Sequence, residues 1–122
     1  MEMPLEVKKY NSLKELLSDM ENSVNISKEN LQRVLNIIEE EWTGEGEGSA
    51  SYPGITILVD PNKEMVIKQT LRVLTYTMKS LSTLRSSIAI FRSIFSEPEL
   101  ESEIEVEAIW DGLRPRVAII RL

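Results

Sequence analysis

The sequence predicts an α+β fold: two N-terminal helices, a long central helix packed on a small, mainly antiparallel sheet, and a C-terminal β-hairpin. Three observations carry this. After Pro61, residues 62–95 contain no Gly or Pro and repeat apolar side chains at helical spacing. Ile55–Val59 is a short apolar run of strand length. Asp111-Gly112 separates two apolar stretches and is a strong two-residue hairpin signal. The 122 residues suit one domain, 1–122, and a 42% apolar, 28% charged composition suits a chain that folds.

At the N-terminus, Leu5 and Val7 alternate weakly up to Tyr10, which reads as a short edge strand or an ordered arm. The two N-terminal helices are expected over about 12–22 and 28–42. Ser12 with Glu15 forms a capping box, in which each side chain satisfies a free backbone N–H of the other. Leu13, Leu16, Leu17 and Met20 then make one stripe, which Asn22, Ser23 and Asn25 are expected to end. Ser27 is a second N-cap, followed by Leu31, Val34, Leu35, Ile38 and Trp42 on one face.

Residues 43–54 read as a flexible loop of alternating Gly and Glu. Glu45 and Glu47 would repel a phosphate and no Lys follows them, so this is no phosphate cradle. A strand is expected over 55–60. Asp60 as N-cap and Pro61 at the first helical position then open the long helix, 61–95. Its stripe runs Ile67, Leu71, Leu74, Met78, Leu81, Leu84, Ile88, Phe91 and Phe95, a heptad seam with one short step at Leu81–Leu84. Such a helix is about 52 Å long, more than the roughly 35 Å of a compact domain this size. A break near Ser80–Ser87 would resolve the mismatch. With no Gly or Pro to make one, the sequence favours a continuous helix whose excess length forms an interface.

The hairpin is expected over 102–122. With Asp111-Gly112 as a type I′ turn, Trp110 faces Leu113, Val106 faces Val117 and Glu107 faces Arg116. The unbroken run Val117-Ala118-Ile119-Ile120 predicts a strand buried on both faces, lying between the first hairpin strand and Ile55–Val59. Glu97, Glu99, Glu101, Glu103, Glu105 and Glu107 recur at every second residue. On a strand they would share one face and keep it soluble.

Function is bounded mainly by absences. The chain has no His and no Cys, so Ser–His–Asp triads, Cys–His pairs and ordinary zinc sites cannot form within it. No pair of carboxylates stands out for acid–base work, and no catalytic residue, cofactor or metal site is expected. The N-terminus lacks the apolar run of a signal peptide and no stretch is long enough to span a bilayer, so cytoplasmic residence is expected. The net charge of −6 disfavours nucleic acid. Within the long helix, however, Lys68, Arg72, Lys79, Arg85 and Arg92 make a candidate basic face.

The leading expectation is a non-enzymatic interaction or assembly module, a homodimer or complex subunit held through the seam of the long helix. A nucleic-acid-associated accessory protein using the basic face is the first alternative. A ligand-binding or enzymatic domain with a pocket between subunits is the second.

Overall fold

The computed structural model describes residues 5–122. The elements in chain order are β1 (Leu5–Tyr10), α1 (Leu13–Glu39), β2 (Gly48–Tyr52), β3 (Ile55–Val59), α2 (Lys63–Ile94), α3 (Glu97–Glu101), β4 (Glu105–Asp111) and β5 (Arg114–Arg121). Helices and antiparallel sheets make the chain α+β. The residues gather into two units, one of Lys28–Ser80 and one of 5–27 with Leu81–Leu122. Each long helix contributes to both.

In the second unit, β1, β4 and β5 form an antiparallel sheet in the order β1-β4-β5. Alternation along β4 puts Val106, Ala108 and Trp110 on the inner face, each at most 1% exposed. They pack with Leu13, Leu16, Leu17 and Met20 of α1 and Leu84, Ile88 and Phe91 of α2. The start of α1 is capped as the Ser12/Glu15 pair predicts, with one shift. Glu15 N–H donates to Ser12 Oγ at 3.2 Å, but the Glu15 carboxylate accepts from Asn11 N–H at 2.8 Å rather than from Ser12.

Several expectations change. The two N-terminal helices are one helix, α1: Ser23 and Ser27 do not interrupt it but are buried along it. With no Gly or Pro present, the Asn and Ser residues there cost at most about 0.7 kcal/mol each relative to Ala. Helix α2 runs unbroken through Ser80–Ser87. Its hydroxyls bond to their own helix, Thr70 to the Val66 carbonyl at 2.6 Å and Ser87 to the Thr83 carbonyl at 3.0 Å, and so compete little with it. Asn62, not Asp60, caps α2 by accepting the Met65 N–H at 2.9 Å. Asp60 instead takes a left-handed φ of 44° at the corner.

The sheet also differs. The strand Ile55–Val59 does not join β5. It pairs with β2, inside the segment expected to be a flexible loop, through a Pro53-Gly54 turn. Strand β4 is central and β5 is an edge, with Val117 47% and Ile119 40% exposed. The hairpin turn is Gly112-Leu113, so Asp111 faces Arg114, Trp110 faces Pro115 and Glu107 faces Ile119. Only Gly112 takes positive φ, 66°, as a type II′ turn requires, which spares Asp111 that conformation. An irregularity between Ile109 and Trp110 leaves Arg116 without an opposite residue, next to Pro115, which has no N–H to donate. Glu107 consequently pairs with Arg121 at 3.5 Å and not with Arg116. The alternating glutamates do not share a strand. Glu97, Glu99 and Glu101 lie on α3, where Glu99 accepts the Ser96 N–H at 3.2 Å, and only Glu105 and Glu107 lie on β4.

Two polar groups sit in this core, the Tyr10 hydroxyl and the Trp110 indole N–H. The Tyr10 hydroxyl donates to Asp19 Oδ2 at 2.6 Å, and Lys8 Nζ lies 3.7 Å from the same carboxylate and 4.5 Å from the Trp110 ring centre. Burial first, then the hydrogen bond to Asp19 and its charge, hold the Tyr10 hydroxyl well above its ordinary value. The Trp110 indole N–H works against them but makes no hydrogen bond of normal geometry. The folded state therefore keeps this proton past the pH at which the unfolded chain releases it. The contribution is full below about pH 10 and is lost as pH rises through the folded-state value. Tyr10→Phe should cost about 1 kcal/mol at neutral pH. It should also remove Tyr10's share of the alkaline loss of stability, read as urea midpoints from neutral pH upward.

Candidate functional site

The other unit, Lys28–Ser80, is built differently. Val66 is its only buried side chain among the described residues, at 4% exposure. Leu31, Val34, Ile38 and Trp42 of the α1 stripe and its extension are half-buried, as are Ile67 and Leu74 of α2. Leu71 and Met78 are 46% and 54% exposed. On the hairpin, Ile55, Ile57 and Val59 share one face of β3 and are 60%, 46% and 53% exposed.

The α1 end of this unit is tied to the β3–α2 corner. Gly46 N–H donates to the Asp60 carbonyl at 3.0 Å, and Thr43 forms a bridge with Asn62. A Cβ at Gly44 would overlap that same carbonyl, so the close approach requires glycine there. An open groove of about 760 Å³ runs between α1, the hairpin and α2, lined by Val34, Ile37, Trp42, Tyr52, Leu58, Val66 and Val73 among others. Its chemistry is apolar, with Gln69, Thr70 and Arg72 as its polar margin.

The structure divides the predicted seam in two. Leu81, Leu84, Ile88 and Phe91 are buried, and Leu84, Ile88 and Phe91 belong to the core of the second unit, with Phe95 packed against it. Ile67, Leu71, Leu74 and Met78 do not join that core. The cause is helical phase. At 100° per residue a four-residue step advances the stripe by 40° and a three-residue step sets it back by 60°. Met78 to Leu81 to Leu84 is two three-residue steps in succession. They turn the seam by about 90° around the helix, so that its first half faces another way from its second.

The candidate basic residues divide in the same way. Lys68, Arg72 and Lys79 share one side of α2, and Arg85 and Arg92 share another about 130° away. Arg92 is ion-paired with Glu21. Five cations on one continuous stripe, as a nucleic-acid backbone would require, are therefore not brought together.

In the second unit a polar groove of about 650 Å³ carries Lys14, Glu21, Arg92, Glu97 and Glu101. Its charges are largely engaged with one another, Lys14 with Glu101 at 3.8 Å and Arg92 with Glu21. Among the described residues no group of three or more carboxylates is placed to hold a metal ion. No helix among them is long and apolar enough to cross a membrane.

No protein-family model matches the chain, and no curated protein or solved structure matches it significantly. The open apolar unit is therefore the feature on which a functional reading rests. Sequence reasoning missed the hairpin that forms part of it. The available signal was Pro53-Gly54 between GSASY and ITILV, a two-residue turn between two segments of equal length.

Proposed function

We propose that this protein is a non-enzymatic self-association and assembly module whose contact surface lies on the Lys28–Ser80 unit. One observation carries the reading. The stripe Ile67, Leu71, Leu74 and Met78 keeps strict heptad spacing but is left half-buried or exposed, while the rest of the seam is consumed by the chain's own core. Heptad-spaced apolar residues on an exposed helix face are matched most directly by another helix presenting the same spacing, and a second copy supplies one.

Sedimentation velocity or multi-angle light scattering across micromolar concentrations tests this. The expected mass is twice 13.9 kDa. A mass of 13.9 kDa at every concentration rejects self-association.

A further inference from the structure

We propose that β3 is a contact strand of the dimer. In this arrangement β3 of one copy pairs antiparallel with β3 of a second across a two-fold axis, joining two hairpins into one four-stranded sheet. This rests on the self-association proposed above and specifies where part of it occurs.

The first argument is a contrast between edges. An exposed strand edge invites pairing, and proteins guard such edges with charges, prolines and bulges. Both edge strands of the three-stranded sheet are guarded. Strand β1 carries Glu6, Lys8 and Lys9, and β5 carries Arg114, Pro115 and Arg116, beside the irregularity in its ladder. The β2–β3 hairpin has neither a charge, a proline nor a break in register along either strand. It is also only two strands wide, so its free edge is left without a neighbouring strand.

The choice of β3 over β2 follows from composition. ITILV is β-branched and apolar at nearly every position, whereas GSASY has little side chain to pack. A two-fold axis through Ile57 sets Ile57 opposite Ile57 and Ile55 opposite Val59 of the other copy. The three side chains of each strand, now half-exposed, then share one six-residue apolar face.

Charge supplies the second argument, and it points to a copy rather than to an unrelated strand. Glu45, Glu47 and Asp60 lie at or beside the open end of the hairpin, all exposed. Helix α2 leaves from that end. Ten residues and about 15 Å further on, Arg72 lines the groove with Tyr52, Gly54 and Ile55 at the turn end. None of these four charges enters an ion pair among the described residues. Antiparallel pairing about Ile57 brings the turn end of each copy to the acidic end of the other, with Arg72 on one side and Asp60 on the other, twice.

The chain has no cysteine, so a single introduced thiol reports directly on this register. Directly opposite residues of an antiparallel pair have Cα atoms about 4.5–5.5 Å apart, within reach of a disulfide. Under mild oxidation, Ile57→Cys should give a covalent dimer, while Val59→Cys, which faces position 55 of the other copy, should not. If the chain sediments as a dimer but Ile57→Cys links no faster than Val59→Cys, β3 pairing is overturned and self-association stands. If the chain is a monomer, both fall, and the open edge is left to a strand from another protein.

Discussion

Leu71→Glu combined with Met78→Glu should leave the chain folded and make it monomeric. Both side chains are about half exposed, so the unit that carries them loses little packing when they change. Glutamate, leucine and methionine have similar helix propensities, so α2 itself should be almost indifferent. In the dimer the same substitutions place four carboxylates, two from each copy, in an apolar contact, where the flanking Lys68 and Lys79 of each helix offset them only in part. Burying an unpaired charge costs several kcal/mol even after the surroundings relax. Weakening the dissociation constant about a thousandfold requires only some 4 kcal/mol. The check is sedimentation velocity on the double variant beside the wild type, with far-UV circular dichroism showing unchanged helix content. A dimer of unaltered affinity would put the interface elsewhere than on the Ile67–Met78 stripe.

The second large effect belongs to the other unit. Trp110→Ala should destabilise it by about 3–5 kcal/mol, the range for removing a buried tryptophan. Trp110 is 1% exposed and sits on the inner face of the central strand, where it also underlies the Lys8 ammonium. Its loss opens a cavity among side chains held by two helices and a sheet, and little can collapse into it. A domain has only about 5–15 kcal/mol in total, so the variant should be near its unfolding midpoint in mild urea. Trp42, the one remaining tryptophan, then reports by fluorescence on the unit that was not altered. A cost below about 1 kcal/mol would mean that Trp110 is not the centre of this core.

What was legible beforehand were features fixed by near neighbours in the chain. The Ser12/Glu15 cap, the inward alternation of Val106, Ala108 and Trp110, and the continuity of α2 all follow from local spacing and composition. Two local signals mark more than the sequence reading assigned to them. The cluster from Asn22 to Ser27 does not end a helix as expected, and the short steps from Met78 to Leu84 lie within a helix that is continuous, as expected. The first ends, and the second falls, where the chain passes from one unit to the other, between Ser27 and Lys28 and between Ser80 and Leu81. Helix α1 carries its polar residues through because burial outweighs a few tenths of a kcal/mol of propensity.

Beyond the hairpin that joins β4 to β5, partner choice among strands was not legible. That Leu5–Tyr10 pairs with β4, and that Ile55–Val59 pairs with β2 instead of β5, depends on contacts far apart in sequence or on segments with little strand propensity of their own. Of the candidate site, the seam and its spacing were readable, and so in principle was its rotation. Counting two successive three-residue steps gives the turn that separates an available half from a buried one.

The pairing of β1 with β4 has a consequence for how the chain comes to be folded. Leu5 lies opposite Asp111 and Tyr10 opposite Val106, so about a hundred residues separate the partners. On a ribosome β1 emerges about a hundred residues before β4 and has no partner strand until β4 follows. The hairpin β2–β3, whose strands are joined by two residues, needs no such wait. The open, apolar unit is thus assembled from local contacts while the better-packed one still lacks half its material. Under the self-association proposed above, chains emerging side by side on one message meet through the surface that is ready first, and association precedes the completion of either fold.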